Sequence, residues 1–115
     1  MVVAGYLDSL GRTIVEVAIF LGEATSVGTN AQFKRGERYP VMIFLRQELN
    51  ASPDFASAER ELASRGWSEI EFSKAAHGFP VENLNLVHPH AGASYEDALR
   101  NGFAAIAFPR ENSAP

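Results

Sequence analysis

Gly66-Trp67-Ser68-Glu69-Ile70-Glu71-Phe72 decides the predicted fold, because the chain repeats its form as Gly102-Phe103-Ala104-Ala105-Ile106-Ala107-Phe108. Each copy follows a helix-like stretch and consists of a glycine, an aromatic residue and a run of alternating apolar residues. A glycine just past a helix supplies the left-handed turn that ends it. Apolar residues at a period of two predict a strand. The repeat therefore predicts two matched joints between a helix and a strand, and it carries no chemistry of its own.

Two further strands are predicted ahead of these joints. Residues Thr13 to Leu21 alternate and are rich in β-branched side chains, as strands are. Residues Tyr39 to Leu45 form the second, with Pro40 at its beginning or at an edge, where a missing N–H does no harm. Val2 to Leu7 could add a short partner strand. The intervening segment 22–38 is long for a hairpin connection, so it is either a functional loop or an extended arm.

Two helices are predicted between the strands. Ser52-Pro53-Asp54 is typical of a helix start, with Ser52 as the N-cap, Pro53 in the first position and Asp54 near the positive end of the dipole. This helix ends at Gly66. In the second helix Ser94 is the predicted N-cap, Asp97 completes a reciprocal capping arrangement, and Gly102 ends the helix.

These elements predict one α+β domain over residues 1–115, with residues 110–115 as a flexible tail. The strand Glu69 to Lys74 is apolar on one face only, which favours a position toward the sheet edge. The strand Phe103 to Phe108 is thin because of its alanines, so another element must approach it closely. Two right-handed strand–helix–strand crossovers predict a two-layer sandwich, with a mixed sheet of about four to five strands and both helices on one face.

Such a sandwich leaves the second face of the sheet without a helix. Two readings are open: the face is the interface of a homodimer, or the N-terminal residues and the loop 76–93 cover it. A contiguous exposed apolar patch usually marks an interface. The residues expected on this face are Ile14, Ala18, Phe20, Met42 and Phe44.

Composition limits the classes of function. The formal net charge of −4 weighs against a dedicated nucleic-acid binder, which needs a basic face. The N-terminal residues lack the basic region of a signal peptide, and no apolar run approaches the length of a membrane span. The chain has no cysteine, which is compatible with a reducing compartment. We therefore expect a cytoplasmic protein without a membrane span, and nothing in the sequence calls for a cofactor.

The first candidate site consists of His77, Glu82, His88 and His90. Two histidines and a carboxylate can bind a divalent metal, and a histidine can act as an acid or a base. Pro89 separates the last two histidines and perturbs their geometry. The competing interpretation is a set of polar loop residues, and no metal is assigned to them.

The second candidate site is the basic and aromatic group Phe33, Lys34, Arg35 and Arg38. An aromatic side chain beside arginine and lysine can stack on bases and contact phosphates. Glu37 interrupts the group, and no basic stripe continues it, so a solvated loop tip is the competing interpretation.

The sequence by itself does not identify the function. Nucleophilic catalysis finds no support, since the chain lacks cysteine and a Gly-x-Ser-x-Gly turn. The leading hypothesis is a small non-catalytic binding protein that self-associates through its sheet, with another protein as a further potential partner. The alternative is a small enzyme or ligand-binding domain that uses the histidine segment. A nucleic-acid partner through the basic group ranks below both.

Overall fold

The computed structural model describes residues 15–29, 31–49, 51–76 and 89–109. The predicted strand Val2 to Leu7 and the predicted tail 110–115 lie outside these residues. The elements follow the chain as β1 (Val15–Ser26), β2 (Arg38–Glu48), α1 (Phe55–Ala63), β3 (Trp67–Ala76), α2 (Ala91–Asn101) and β4 (Phe103–Ala107). None of the helices in the described ranges is long and apolar enough to cross a membrane.

The four strands form one sheet in the order β3-β1-β2-β4. This confirms the α+β class, the number of strands and the edge position of β3. The sheet is antiparallel at each pairing, so the prediction of a mixed sheet was wrong. The reason is the position of β1. It lies between β2 and β3, so the two parallel strands that α1 connects are not neighbours in the sheet.

The two helices pack on opposite faces of the sheet, which corrects the predicted two-layer sandwich. Helix α1 buries Ala58 and Leu62 in a core that contains Phe20 and Ile43. Helix α2 buries Tyr95 and neighbouring side chains in a second core. The central strands β1 and β2 are apolar on both sides because both of their faces are covered.

The predicted interface residues are consequently divided between the two cores. Phe20 lies under α1, whereas Met42 and Phe44 lie under α2, and all three are buried within the single chain. Ala18 is buried on the α1 side, and Ile14 lies outside the described residues. The exposed apolar face on which the predicted sheet-to-sheet dimer depended is therefore not formed by these four buried residues.

The predicted helix end is confirmed for α2, whose C-cap is Gly102, whereas α1 ends at Ala63 with Ser64 as its C-cap, two residues before Gly66. Gly66 and Gly102 adopt φ values of 97° and 101°, the left-handed conformation that the repeat predicted. The N-cap of α1 is Asp54 rather than Ser52. Helix α2 begins three residues before Ser94, with His90 in the cap position and no side-chain cap bond. Each prediction chose a serine near the true start, where more than one polar residue was available.

The segment 22–38 extends the hairpin of β1 and β2, as the predicted extended arm requires, because both strands continue into it. β1 continues to Ser26 and β2 begins at Arg38. The remaining turn is held by hydrogen bonds from Gly36 N to Ser26 O (2.8 Å) and from Lys34 N to the Tyr39 hydroxyl (2.8 Å). The turn thus has a defined shape and brings its own side chains back to the body of the protein.

Candidate functional site

The structure places one of the four residues of the histidine segment. His90 is exposed and occupies the N-cap position of α2. His77, Glu82 and His88 lie outside the described residues. Within the described ranges no three potential metal ligands come together. A ligand or metal site at this segment stays a prediction.

The basic and aromatic group is not assembled on one surface. Phe33 is buried, with its ring centroid 4.9 Å from that of Tyr39 and 5.3 Å from that of Trp67. Arg38 lies on the opposite face of the sheet, while Lys34 and Arg35 are exposed on the turn. Phe33 therefore acts as an anchor for the turn, and its ring is not presented for stacking on a base.

Arg38 is the centre of a polar network on the α2 side of the sheet. Its Nη1 donates to the Glu69 carbonyl oxygen (2.8 Å) and to Thr25 Oγ1 (3.1 Å). Its Nη2 donates to Glu71 Oε1 (2.9 Å), and its Nε lies 3.6 Å from Glu23 Oε1. Glu23 and Glu71 face each other across β1 and β3, a like-charge pair that would be destabilising without the guanidinium.

An open groove of about 650 Å³ lies beside this network. Its floor is apolar, with Leu21, Pro40 and Phe108, and its rim carries Glu23 and Glu71. Both carboxylates already contact Arg38, so the groove offers little uncommitted charge.

The two edges of the sheet differ in how they are protected. β3 is interrupted by two register shifts and carries exposed charges at Glu69, Glu71 and Lys74. Glu69 has a φ of 47°, the one positive value of a non-glycine residue in the described ranges. Bulges and charges at an edge strand discourage pairing with another chain.

β4 has none of these features within the described residues. Its five residues are uncharged, and its pairing with β2 continues without a register shift. Hydrogen bonds join Gly102 and Phe108 to β2, and they show which residues of β4 direct their backbone groups toward β2. Because antiparallel pairs alternate, the backbone groups of Phe103, Ala105 and Ala107 point away from β2.

A second cavity, of about 200 Å³, lies between β4 and the joint from α1 to β3. The space exists because β4 presents Ala105 and Ala107 on this side, where larger side chains would fill it. Ala104 points to the other face and packs in the α2 core. The prediction that another element approaches β4 closely holds at Ala104, which packs in the α2 core, whereas Ala105 and Ala107 line a cavity. The full lining is Ser26, Thr29, Phe33, Val41, Leu62, Arg65, Gly66, Trp67, Ala105 and Ala107.

Arg65 is the cationic side chain in that lining. Its guanidinium carbon lies 4.3 Å from the centroid of the Phe103 ring. Its hydrogen bonds to described residues all use Nη1, which donates to the Glu61 carbonyl (2.7 Å), the Glu61 carboxylate (2.8 Å) and Ser64 Oγ (3.2 Å). The Nε and Nη2 groups form none with the described residues, while the guanidinium is ion-paired with the Glu61 carboxylate through Nη1.

The shifted pKa values lie away from both cavities. Hydrogen bonds from the side chain and backbone of Ser57 lower the pKa of Asp54, which caps α1. Burial raises the pKa of Tyr95 to about 12, with smaller contributions from Glu96 and Glu16. Both shifts have structural causes: a helix cap in one case and a core hydroxyl in the other.

Comparison of the chain with protein-family models, with curated proteins and with solved structures found no match. The functional argument consequently depends on the geometry of the β4 edge and of the smaller cavity. Sequence reasoning missed Arg65 because an arginine just beyond the end of a helix is usually explained by the helix dipole. The signal that was available was the run of alanines in β4.

Proposed function

We propose that the protein is a non-catalytic binding protein that self-associates through its sheet, as a homodimer joined along β4. The observation that carries the proposal is the contrast between the two edge strands. β3 is bulged and charged, whereas β4 is regular and uncharged. Exposed backbone groups on an unprotected edge are a template for pairing with another strand.

The sequence of β4 suits pairing with a second copy of itself. An antiparallel pair centred on Ala105 sets Ala105 against its equivalent and Phe103 against Ala107. No charge opposes a like charge, and each large side chain meets a small one. Ala105 is exposed, and among the described residues no strand pairs with the outer edge of β4.

The strength of this association follows from the length of the strand. Three outward-facing residues on each copy allow about six backbone hydrogen bonds. At up to about 1.5 kcal/mol each, these bonds total up to about 9 kcal/mol and exceed the entropic cost of association, which is at least about 4 kcal/mol, by up to about 5 kcal/mol. We therefore expect a dissociation constant closer to the millimolar than to the nanomolar range.

Sedimentation velocity from about 10 μM to about 1 mM tests the proposal, because this range covers association free energies near −4 to −7 kcal/mol. The sedimentation coefficient should rise with concentration toward that of a dimer. Ala105→Pro, which removes an outward N–H and leaves the bonds to β2 in place, should abolish the rise. Ala105→Ser, which keeps the N–H, should behave as the wild type.

Hydrogen exchange gives a second measurement on the unmodified chain. The amides of Phe103, Ala105 and Ala107 should exchange more slowly at high concentration, while the edge amides of β3 should be unaffected. A monomer throughout the concentration range would overturn the proposal. Association that survives Ala105→Pro in a folded variant would also overturn it.

A further inference from the structure

The smaller cavity combines a void, aromatic walls and the Nε and Nη2 groups of Arg65 in one place. We infer that it binds a small aromatic monocarboxylate, with the ring against Trp67 and Phe33 and the carboxylate on Arg65. These three side chains lie outside β4, which contributes Ala105 and Ala107 to the lining, so the cavity is complete in the single chain.

The size of the cavity sets the size of the ligand. A dry cavity of roughly 150 Å³ is enough for benzene. Typical sites for drug-sized molecules begin at about 300 Å³. At about 200 Å³, this cavity has room for one ring with a short substituent and excludes a nucleotide or a folded peptide.

The walls favour an aromatic ring over an aliphatic chain. Phe33 and Trp67 meet at an interplanar angle of 63°, and each lines the cavity. Aromatic rings gain about 0.5–1.5 kcal/mol from offset or edge-to-face contacts beyond the burial of their area. Ala105 and Ala107 provide a floor that leaves the ring space to enter.

The two N–H groups of Arg65 that form no hydrogen bond with the described residues favour an anion, although Nη1 is already paired with the Glu61 carboxylate at 2.8 Å. The Nε and Nη2 groups of Arg65 lie along one edge of the guanidinium, which is the geometry that binds a carboxylate through two parallel hydrogen bonds. Packing of the guanidinium on the Phe103 ring, 4.3 Å from its centroid, holds the side chain in place. Thr29 also lines the cavity, and its hydroxyl is a neutral hydrogen-bonding group.

Trp67 supplies the readout for a binding experiment, because it is the single tryptophan of the chain and lines the cavity. Benzoate should change its fluorescence saturably. Benzyl alcohol, which has the ring without the charge, and acetate, which has the charge without the ring, should bind at least about tenfold more weakly. Because the guanidinium is partly exposed, benzoate affinity should also decrease with salt.

Variants assign the effect to the cavity. Arg65→Gln should weaken benzoate binding by about tenfold or more. Arg65→Lys keeps the charge but cannot form two parallel hydrogen bonds, so its benzoate affinity should lie between those of Arg65→Gln and the wild type. Arg60→Gln is the matched control, since it removes an arginine from α1 that does not line the cavity. Ala107→Leu should fill the void and abolish binding.

Three results would overturn the inference: no saturable response to benzoate in the wild type, equal affinity in Arg65→Gln, or equal affinity for benzyl alcohol. If Ala107→Leu does not fold, the two Arg65 variants still decide the question. Measurement at about 10 μM protein, below the dissociation constant expected for the dimer, separates this inference from the proposed function, because the cavity should bind benzoate in a monomer as well.

Discussion

The hydroxyl of Tyr95 gives the sharpest test of the structure. Tyr95 is 1% exposed, and its Oη finds no hydrogen-bond partner among the described residues. A buried polar group without a partner costs about 1–3 kcal/mol of desolvation. Tyr95→Phe removes that group and leaves the ring in the α2 core. Allowing for the small space left behind, we expect the variant to be more stable than the wild type by about 1 kcal/mol at pH 7.

The same hydroxyl should make stability depend on alkaline pH. The pKa of Tyr95 is raised from 10.0 to about 12, mainly by burial. The unfolded chain therefore ionises first as the pH rises. The free energy of unfolding should be unaffected by Tyr95 below pH 10 and should fall between pH 10 and about pH 12. A difference of two pKa units between the folded and unfolded states corresponds to a loss of about 2.7 kcal/mol in the free energy of unfolding when the pH is above both pKa values.

Urea denaturation followed by circular dichroism, at several values between pH 7 and pH 12, measures both effects. The stability advantage of Tyr95→Phe should grow from about 1 kcal/mol to about 3 kcal/mol across this range. Tyr39→Phe is the control with the opposite sign. Its hydroxyl accepts from Lys34 N at 2.8 Å, so its loss should cost about 1 kcal/mol at pH 7.

The reasoning about Tyr95 would be refuted if Tyr95→Phe were destabilised by 1 kcal/mol or more at pH 7, since the hydroxyl would then have a partner. It would also be refuted if the difference between variant and wild type were the same at pH 9 as at pH 12.

Two further predictions concern the backbone. Gly22→Ala should destabilise the protein by about 3 kcal/mol or more, because a Cβ there would lie 2.1 Å from the Glu71 carbonyl oxygen. Gly36 has open space around it and a φ of 84°, so Gly36→Ala should lower the unfolding free energy by only about 1 kcal/mol in the same urea titration. Equal losses of stability in the two variants would contradict this. Asp54→Ala should cost about 1 kcal/mol at neutral pH, whereas Ser52→Ala should cost little, and the reverse order would restore Ser52 as the cap. Since the folded-state pKa of Asp54 is lowered, this difference should disappear as the pH falls below the ordinary carboxyl value and through the lowered pKa.

The sequence predicted what depends on local pattern. The alternation of apolar residues in β1 and β2 located both strands. Gly66 and Gly102 marked the left-handed turns that follow the helices, because glycine adopts a positive φ without steric strain. The starts of the helices were less certain, since Ser52 and Asp54 are both good caps and differ by only two positions. The N-cap preferences of the two residue types are too similar to decide which of them caps the helix.

The sheet order could not be predicted because it depends on pairing between distant strands. A strand–helix–strand pattern fixes the direction of β3 relative to β2 but does not exclude a third strand between them. β1 occupies that place, so a fold with strand–helix–strand steps has an entirely antiparallel sheet. The same placement makes β1 and β2 central, and it explains why their two apolar faces indicated two covering helices rather than an exposed interface.

The candidate site was hidden for a related reason. Arg65 lies just beyond the end of α1, Phe33 in a turn and Trp67 at a helix-to-strand joint, and each has an adequate local explanation in sequence. These three side chains line the same cavity, which is open because the facing residues of β4 are small. Ala104 allows α2 to pack closely on one face, while Ala105 and Ala107 leave the cavity open on the other. Replacing Ala107 with a large residue should therefore remove the cavity, whereas replacing Ala104 should disturb the α2 core, although the two alanines lie in the same strand.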